Sequence, residues 1–215
     1  MIFLDENAID ELFHIFSERN PAPTTELVST NTFTLLIAVL LSAQMTDKGV
    51  NRATAGLFKV ADTPEKMLAL GEAGVLRYIR SINYYQAKAR YVIETSRLLV
   101  ERFGGKVPHT REDLESLPGV GRKTASVVLN VAFGEPTMPV DTHLLRIAPR
   151  MGLSAATTPR GVEDDLLRKI PARWLGNAHH WLILHGRYVC IARLPHCSTC
   201  PVAHLCPRNG VTQSD

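Results

Sequence analysis

Apolar positions recur at helical spacing along most of the chain, and that period predicts an all-α protein. It recurs in "NTFTLLIAVLLSAQ" (31–44), in "YQAKARYVIETSRLLVERFGG" (85–105) up to its closing glycine pair, and in "RKTASVVLNVAFGE" (122–135) up to Gly134. The valines of the last stretch also suit a buried strand. Ala125, Val128, Leu129 and Ala132 nevertheless share one helical face, and the segment is long for a strand, so it reads as helix. No convincing strand alternation occurs elsewhere. Capping chemistry punctuates the pattern: Thr110 with Asp113 three residues on opens one helix, and Thr158 followed by Pro159 opens another that runs to about Lys169. "GEPTMPVDTH" (134–143), with two prolines, is the best candidate for a crossover between two lobes.

Composition changes this picture little. With 215 residues and 45% hydrophobic content the chain can bury a real core, in one large domain or two small ones. A net charge of +3 and a pI near 8.7 suit a nucleic-acid partner and an ordinary soluble enzyme equally. The opening "MIFLDENAIDELF" carries acids instead of a basic leader, and the longest apolar run, "FTLLIAVLLSA", is too short to span a bilayer. These features point to a cytoplasmic protein with no membrane partner.

The densest local chemistry lies in "LESLPGVGRKTASVVLN" (114–130). A Pro-Gly turn joins two helices, its glycines expose backbone N–H groups, and the next helix begins beside it. Such a turn can hold a phosphate against unpaired N–H groups and the positive end of the helix dipole. Gly119, Val120, Gly121 and Arg122 are therefore candidate DNA-backbone contacts, although an isolated turn of this kind serves equally as a plain connection. A nucleotide phosphate loop is excluded, because its Gly-Lys-Thr would need glycine where Arg122 stands. Lys123 falls in the first helical turn, where the dipole disfavours its positive charge. With partial burial, its amine would serve as a Schiff-base nucleophile; otherwise it is a surface lysine. Asp141 stands just before the periodic "THLLRIAPRMG", as an N-cap, and a capping carboxylate is also held rigidly enough to stabilise a developing cation.

All four cysteines, Cys190, Cys197, Cys200 and Cys206, crowd one short segment, which suits a metal site and not a disulfide framework. Four thiolates at these spacings suit a [4Fe–4S] cluster, and structural zinc fits as well. His196 and His204 are nearby alternative ligands or plain surface residues. Arg187, Arg193 and Arg208 add a local basic patch.

Together, "LPGVGRKTASVVLNVAFG", "VDTHLLR", "HHWLILHGRYVCIAR" and the Cys-x6-Cys-x2-Cys-x5-Cys series resemble the endonuclease III family of the helix-hairpin-helix superfamily, over nearly the whole chain. The resemblance implies a two-lobed fold: a six-helix barrel over 25–135, and a [4Fe–4S] cluster lobe built from 1–24 and 136–215. It implies a bifunctional DNA glycosylase and abasic-site lyase, a monomer acting on double-stranded DNA that carries an oxidised pyrimidine, such as thymine glycol, or an abasic site. Lys123 matches the family's Schiff-base nucleophile, Asp141 its catalytic carboxylate and the four cysteines its cluster ligands. Gln44 in "LSAQMTD" matches the residue that fills the space left by the extruded base. In "SINYYQAKA" the chain departs from the family's Gly-Leu pair: Asn83 and Tyr84 stand there, and Tyr84 is the candidate wedge between bases. A mismatch adenine glycosylase shares the hairpin, aspartate and cluster but lacks a lysine at position 123. A DNA- or protein-binding module would need neither Lys123 nor Asp141.

Overall fold

The computed structural model describes residues 1–215 and contains ten helices and no strand. The all-α expectation holds. The chain divides into two compact units, one of Thr25–Gly134 and one of Met1–Thr24 with Glu135–Asp215.

The continuous unit holds six helices: α2 (Thr32–Ser42), α3 (Asp47–Val60), α4 (Pro64–Ile79), α5 (Tyr85–Phe103), α6 (Arg111–Glu115) and α7 (Arg122–Phe133). Every residue of α2 from Phe33 to Leu41 is buried, so this helix is the axis of the unit, and α3, α5 and α7 pack on it. A helix apolar on all faces is stable only in that position. Replacing Leu36 or Leu40, at 0% and 2% exposure, with alanine should cost about 2–5 kcal/mol. Asn31 starts α2 with a reciprocal capping box to Thr34, and Thr63 and Pro64 start α4 in the same economical way. Helix α4 breaks at Gly71, whose φ of 70° no other residue type adopts cheaply.

The discontinuous unit holds α1 (Glu6–Arg19), α8 (Thr142–Arg150), α9 (Pro159–Lys169), α10 (Ala172–Tyr188) and the irregular cysteine segment. Ile9, Leu12, Phe13 and Phe16 of α1 share its buried face and enter one core with Leu144, Ile147, Leu166, Trp181 and Leu182. Hydrogen bonds also seal it: the Trp181 indole donates to Asn20 O at 2.8 Å, and the Asn209 amide both donates to Ile2 O and accepts from Ile2 N. No helix is long and apolar enough to cross a membrane.

Candidate functional site

The hairpin is built by local chemistry and then pinned by distant residues. Thr110 caps α6 by accepting from Asp113 N, and its hydroxyl donates to the Asp113 carboxylate at 2.8 Å. Two successive backbone bonds, Leu117 N to Leu114 O and Val120 N to Leu117 O, turn the chain. Gly119 has φ of 76° and lies so close over Tyr91 that a Cβ would sit 2.8 Å from the ring. Only glycine satisfies both demands. Buried Thr95 of α5 donates its hydroxyl to Pro118 O at 3.0 Å, and Arg111 of α6 reaches across to the Ser126 hydroxyl of α7 at 2.9 Å. Sequence reasoning missed Thr95, Tyr91 and Arg111.

Helix α7 begins at Gly121, a cap residue with no side chain to accept from its first N–H groups. The positive end of a twelve-residue helix therefore opens beside the turn. Val120 contributes differently from its neighbours, since its side chain is 5% exposed and its N–H is used inside the turn. Lys123 lies in the first turn of α7, as expected, and it is exposed, the surface placement that was one of its two readings. At helix position 2 the side chain projects away from the apolar face formed by Ala125, Val128 and Leu129.

Two further candidates in the same unit are brought together. Gln44, at the turn after α2, and Tyr84, just before α5, are both exposed and both left-handed, with φ of 55° and 58°. Tyr84 is 68% exposed. The Asn83 amide donates to Gln44 O at 2.7 Å and joins the two turns.

In the other unit Asp141 caps α8, its carboxylate accepting from His143 N at 2.8 Å and Leu144 N at 3.0 Å. Helix α8 is tied in turn to the cysteine segment. Arg146 donates to Gly186 O and Cys190 O, and Arg150 donates to Ile191 O and Ala192 O at 2.8 Å each and lies 3.7 Å from Cys190 Sγ. Burial lowers the Arg146 pKa below the ordinary guanidinium range, and the carbonyl acceptors offset part of that cost.

Cys190, Cys197, Cys200 and Cys206 line one pocket together with Arg150, His185 and Arg208. Arg208 stands there as the sequence suggested, while Arg150 and His185 were not foreseen; His185 Nε2 is 3.9 Å from Cys200 Sγ. Burial, followed by the neighbouring thiols, pushes the Cys200 and Cys206 thiols up. His196 also lines this pocket, with its ring paired to Asp215 at 2.9 Å, whereas His204 is exposed and pairs with Glu11 at 3.5 Å. Arg193 is exposed on the same segment.

Comparison with known proteins places this geometry. Residues 37–172 match the model of the HhH-GPD superfamily base excision DNA repair proteins. The chain belongs to this family. The chain is 56% identical over 211 residues to an endonuclease III of Treponema pallidum, covering 98% of this chain and all of that protein. It is 53% identical over 196 residues to endonuclease III of Escherichia coli K12, covering 91% and 93% of the two chains. Among solved structures, a trapped endonuclease III–DNA covalent intermediate superposes with a TM-score of 0.88 at 40% identity, covering 96% of this chain and 97% of that one. A thermostable thymine-DNA glycosylase, 21% identical with a TM-score of 0.80, shares the fold. Within the HhH-GPD family this chain is thus a base excision repair enzyme, a DNA glycosylase with abasic-site lyase activity.

Proposed function

We propose that Lys123 is the nucleophile of this reaction and that its substrate is duplex DNA carrying an oxidised pyrimidine such as thymine glycol, with the protein acting as a monomer. The observation that carries the reading is the placement of an exposed lysine two residues past the cap of α7, directly after a turn whose geometry is fixed by Gly119, Thr95 and Arg111. Backbone N–H groups at Gly119, Gly121 and Arg122 grip a phosphate, Val120 anchors the turn in the core, and the damaged nucleotide swings out toward the amine.

The Lys123 amine forms a bond to C1′ as the bond to the base breaks, and the base leaves with the glycosidic electron pair. Loss of the amine proton and opening of the sugar ring give the imine. That imine acidifies the C2′ proton, whose removal expels the 3′ phosphate and cuts the strand. Asp141, rigidly held at the start of α8, stabilises the cationic sugar as the base departs. Gln44 fills the space left by the base, Tyr84 wedges into the stack, and Arg193 contacts backbone phosphate.

The four cysteines hold a [4Fe–4S] cluster in this reading. Their thiols surround one pocket, and burial with mutual repulsion disfavours thiolates there until cationic metal neutralises them. The cluster supplies cross-links between the cysteine loops, and the chain's own side chains perform each step of the reaction. Segments 25–135 and 1–24 with 136–215 then serve as the hairpin lobe and the cluster lobe.

Borohydride trapping tests the nucleophile. Duplexes carrying thymine glycol or a preformed abasic site should both yield a covalent protein–DNA adduct, which Lys123→Gln should not form. Adducts of undiminished yield with Lys123→Gln would assign the amine elsewhere.

A further inference from the structure

We propose that Lys88 and Asn83 are positioning residues for base extrusion, a clamp of one buried and one exposed side chain that holds the Gln44 turn and the Tyr84 turn together as one preformed probe of the duplex. The inference deepens the function proposed above and rests on its assignment of Gln44 and Tyr84 to DNA.

Lys88 belongs to α5 and is 5% exposed, one of very few charged side chains buried in the chain. Its Nζ donates to Leu41 O at 2.9 Å, in the last turn of α2, and to Ala43 O at 2.6 Å, at the C-cap of that helix, while its backbone N–H makes the first helical bond of α5, to Tyr84 O at 3.0 Å. One residue thus holds the carbonyl before Gln44 and the carbonyl of Tyr84. Asn83 adds a third tie, donating directly to Gln44 O. A buried ammonium at that position meets the negative end of α2, which explains why charge is tolerated in the core. Burial still lowers the lysine pKa, so the site carries a real desolvation cost.

What this arrangement holds is two residues in a conformation that L side chains rarely adopt. Of the three non-glycine residues with positive φ in the whole chain, two are Gln44 and Tyr84. Both are exposed, and neither owes its backbone to packing of its own side chain. Backbone of this kind persists only where the surroundings over-determine it. Here the surroundings are Lys88 from below and Asn83 from the side. Without them each turn relaxes separately, and the two side chains no longer meet a base pair in register.

A double-mutant cycle between Asn83→Ala and Gln44→Ala tests the clamp, read by single-turnover base removal from a thymine-glycol duplex and by cleavage of a duplex with a preformed abasic site. Asn83→Ala, at an exposed position, should slow base removal roughly 10-fold, leave abasic-site cleavage within about 3-fold and cost less in the Gln44→Ala background than in the wild type, because only Tyr84 is then left to misplace. Lys88→Met should show the same split between the two substrates. If Lys88→Met does not fold, the Asn83 cycle decides alone. The clamp is overturned if the Asn83 and Gln44 effects multiply as independent losses, if Asn83→Ala is silent, or if both activities fall together. Should Gln44→Ala and Tyr84→Ala themselves leave base removal unchanged, the assignment of these two residues to DNA fails, and the clamp with it.

Discussion

Asp141 caps α8, and one pair of substitutions separates that cap from the catalytic role proposed for it. Its carboxylate accepts from His143 N and Leu144 N and so satisfies two first-turn donors of α8. Asparagine caps about as well as aspartate, whereas alanine caps poorly, at a cost of about 0.5–2 kcal/mol. Asparagine also gives up the charge at the helix N-terminus, about 0.3–1 kcal/mol. At roughly 2–4 °C per kcal/mol for a chain of this size, Asp141→Ala should lower Tm by about 1–8 °C and Asp141→Asn by about 1–4 °C. The chemical role does not follow this order. In the proposed mechanism both variants lose the negative charge that stabilises the cationic sugar, so both should lose about 100-fold or more in single-turnover base removal, equally, although alanine loosens the helix more. Melting curves and thymine-glycol excision on the same preparations check this. If Asp141→Asn excises within about 3-fold of the wild type, the carboxylate is a cap alone and the electrostatic argument is wrong.

Thr95→Val removes the hydroxyl that holds Pro118 O, and should cost about 1–2 kcal/mol in stability and weaken binding to undamaged and damaged duplex alike; a loss confined to damaged DNA would contradict a phosphate-gripping role for the turn. Cys200→Ser should abolish visible absorbance and bound iron and sulfide in the purified protein; stoichiometric zinc without sulfide in the wild type would refute the cluster. Burial lowers the His180 pKa below 6.5. Below that value the unfolded chain binds the proton more readily than the folded one, so this stability is fully present above pH 6.5 and lost as pH falls toward the folded pKa. His180→Gln should therefore flatten the decline of the urea midpoint between about pH 6.5 and 5, and parallel declines for the two proteins would show that His180 does not set it.

Local chemistry was readable in the sequence wherever one residue acts on its neighbours. Thr110, Thr158 with Pro159, and Asp141 open helices where their side chains can reach the first-turn N–H groups, as the capping rules require. The residues that hold the site were not readable, because their acceptors are backbone carbonyls far along the chain: Lys88 bonds across 47 positions, Thr95 across 23 and Arg150 across 41 and 42. One signal was available. Lys88 stands in the apolar stripe of α5 beside Ala89 and Val92, where a charge needs a partner. Whether Lys123 is buried could not be read for the converse reason, since its proximity to the turn says nothing about the side of α7 it occupies.

The bonds between Ile2 and Asn209 join positions 207 apart within one unit, and α1 shares its core with α8, α9 and α10. The segment 25–134 is contiguous and can close as soon as it is synthesised, but α1, made first, has no partner until translation passes residue 135 and no latch until residue 209. Its face of Ile9, Leu12, Phe13 and Phe16 waits uncovered through most of synthesis. The unit that carries the four cysteines is therefore the last part of the chain to mature, and a message cut short leaves a finished unit of 25–134 trailing an unpaired, sticky helix instead of a half-active enzyme.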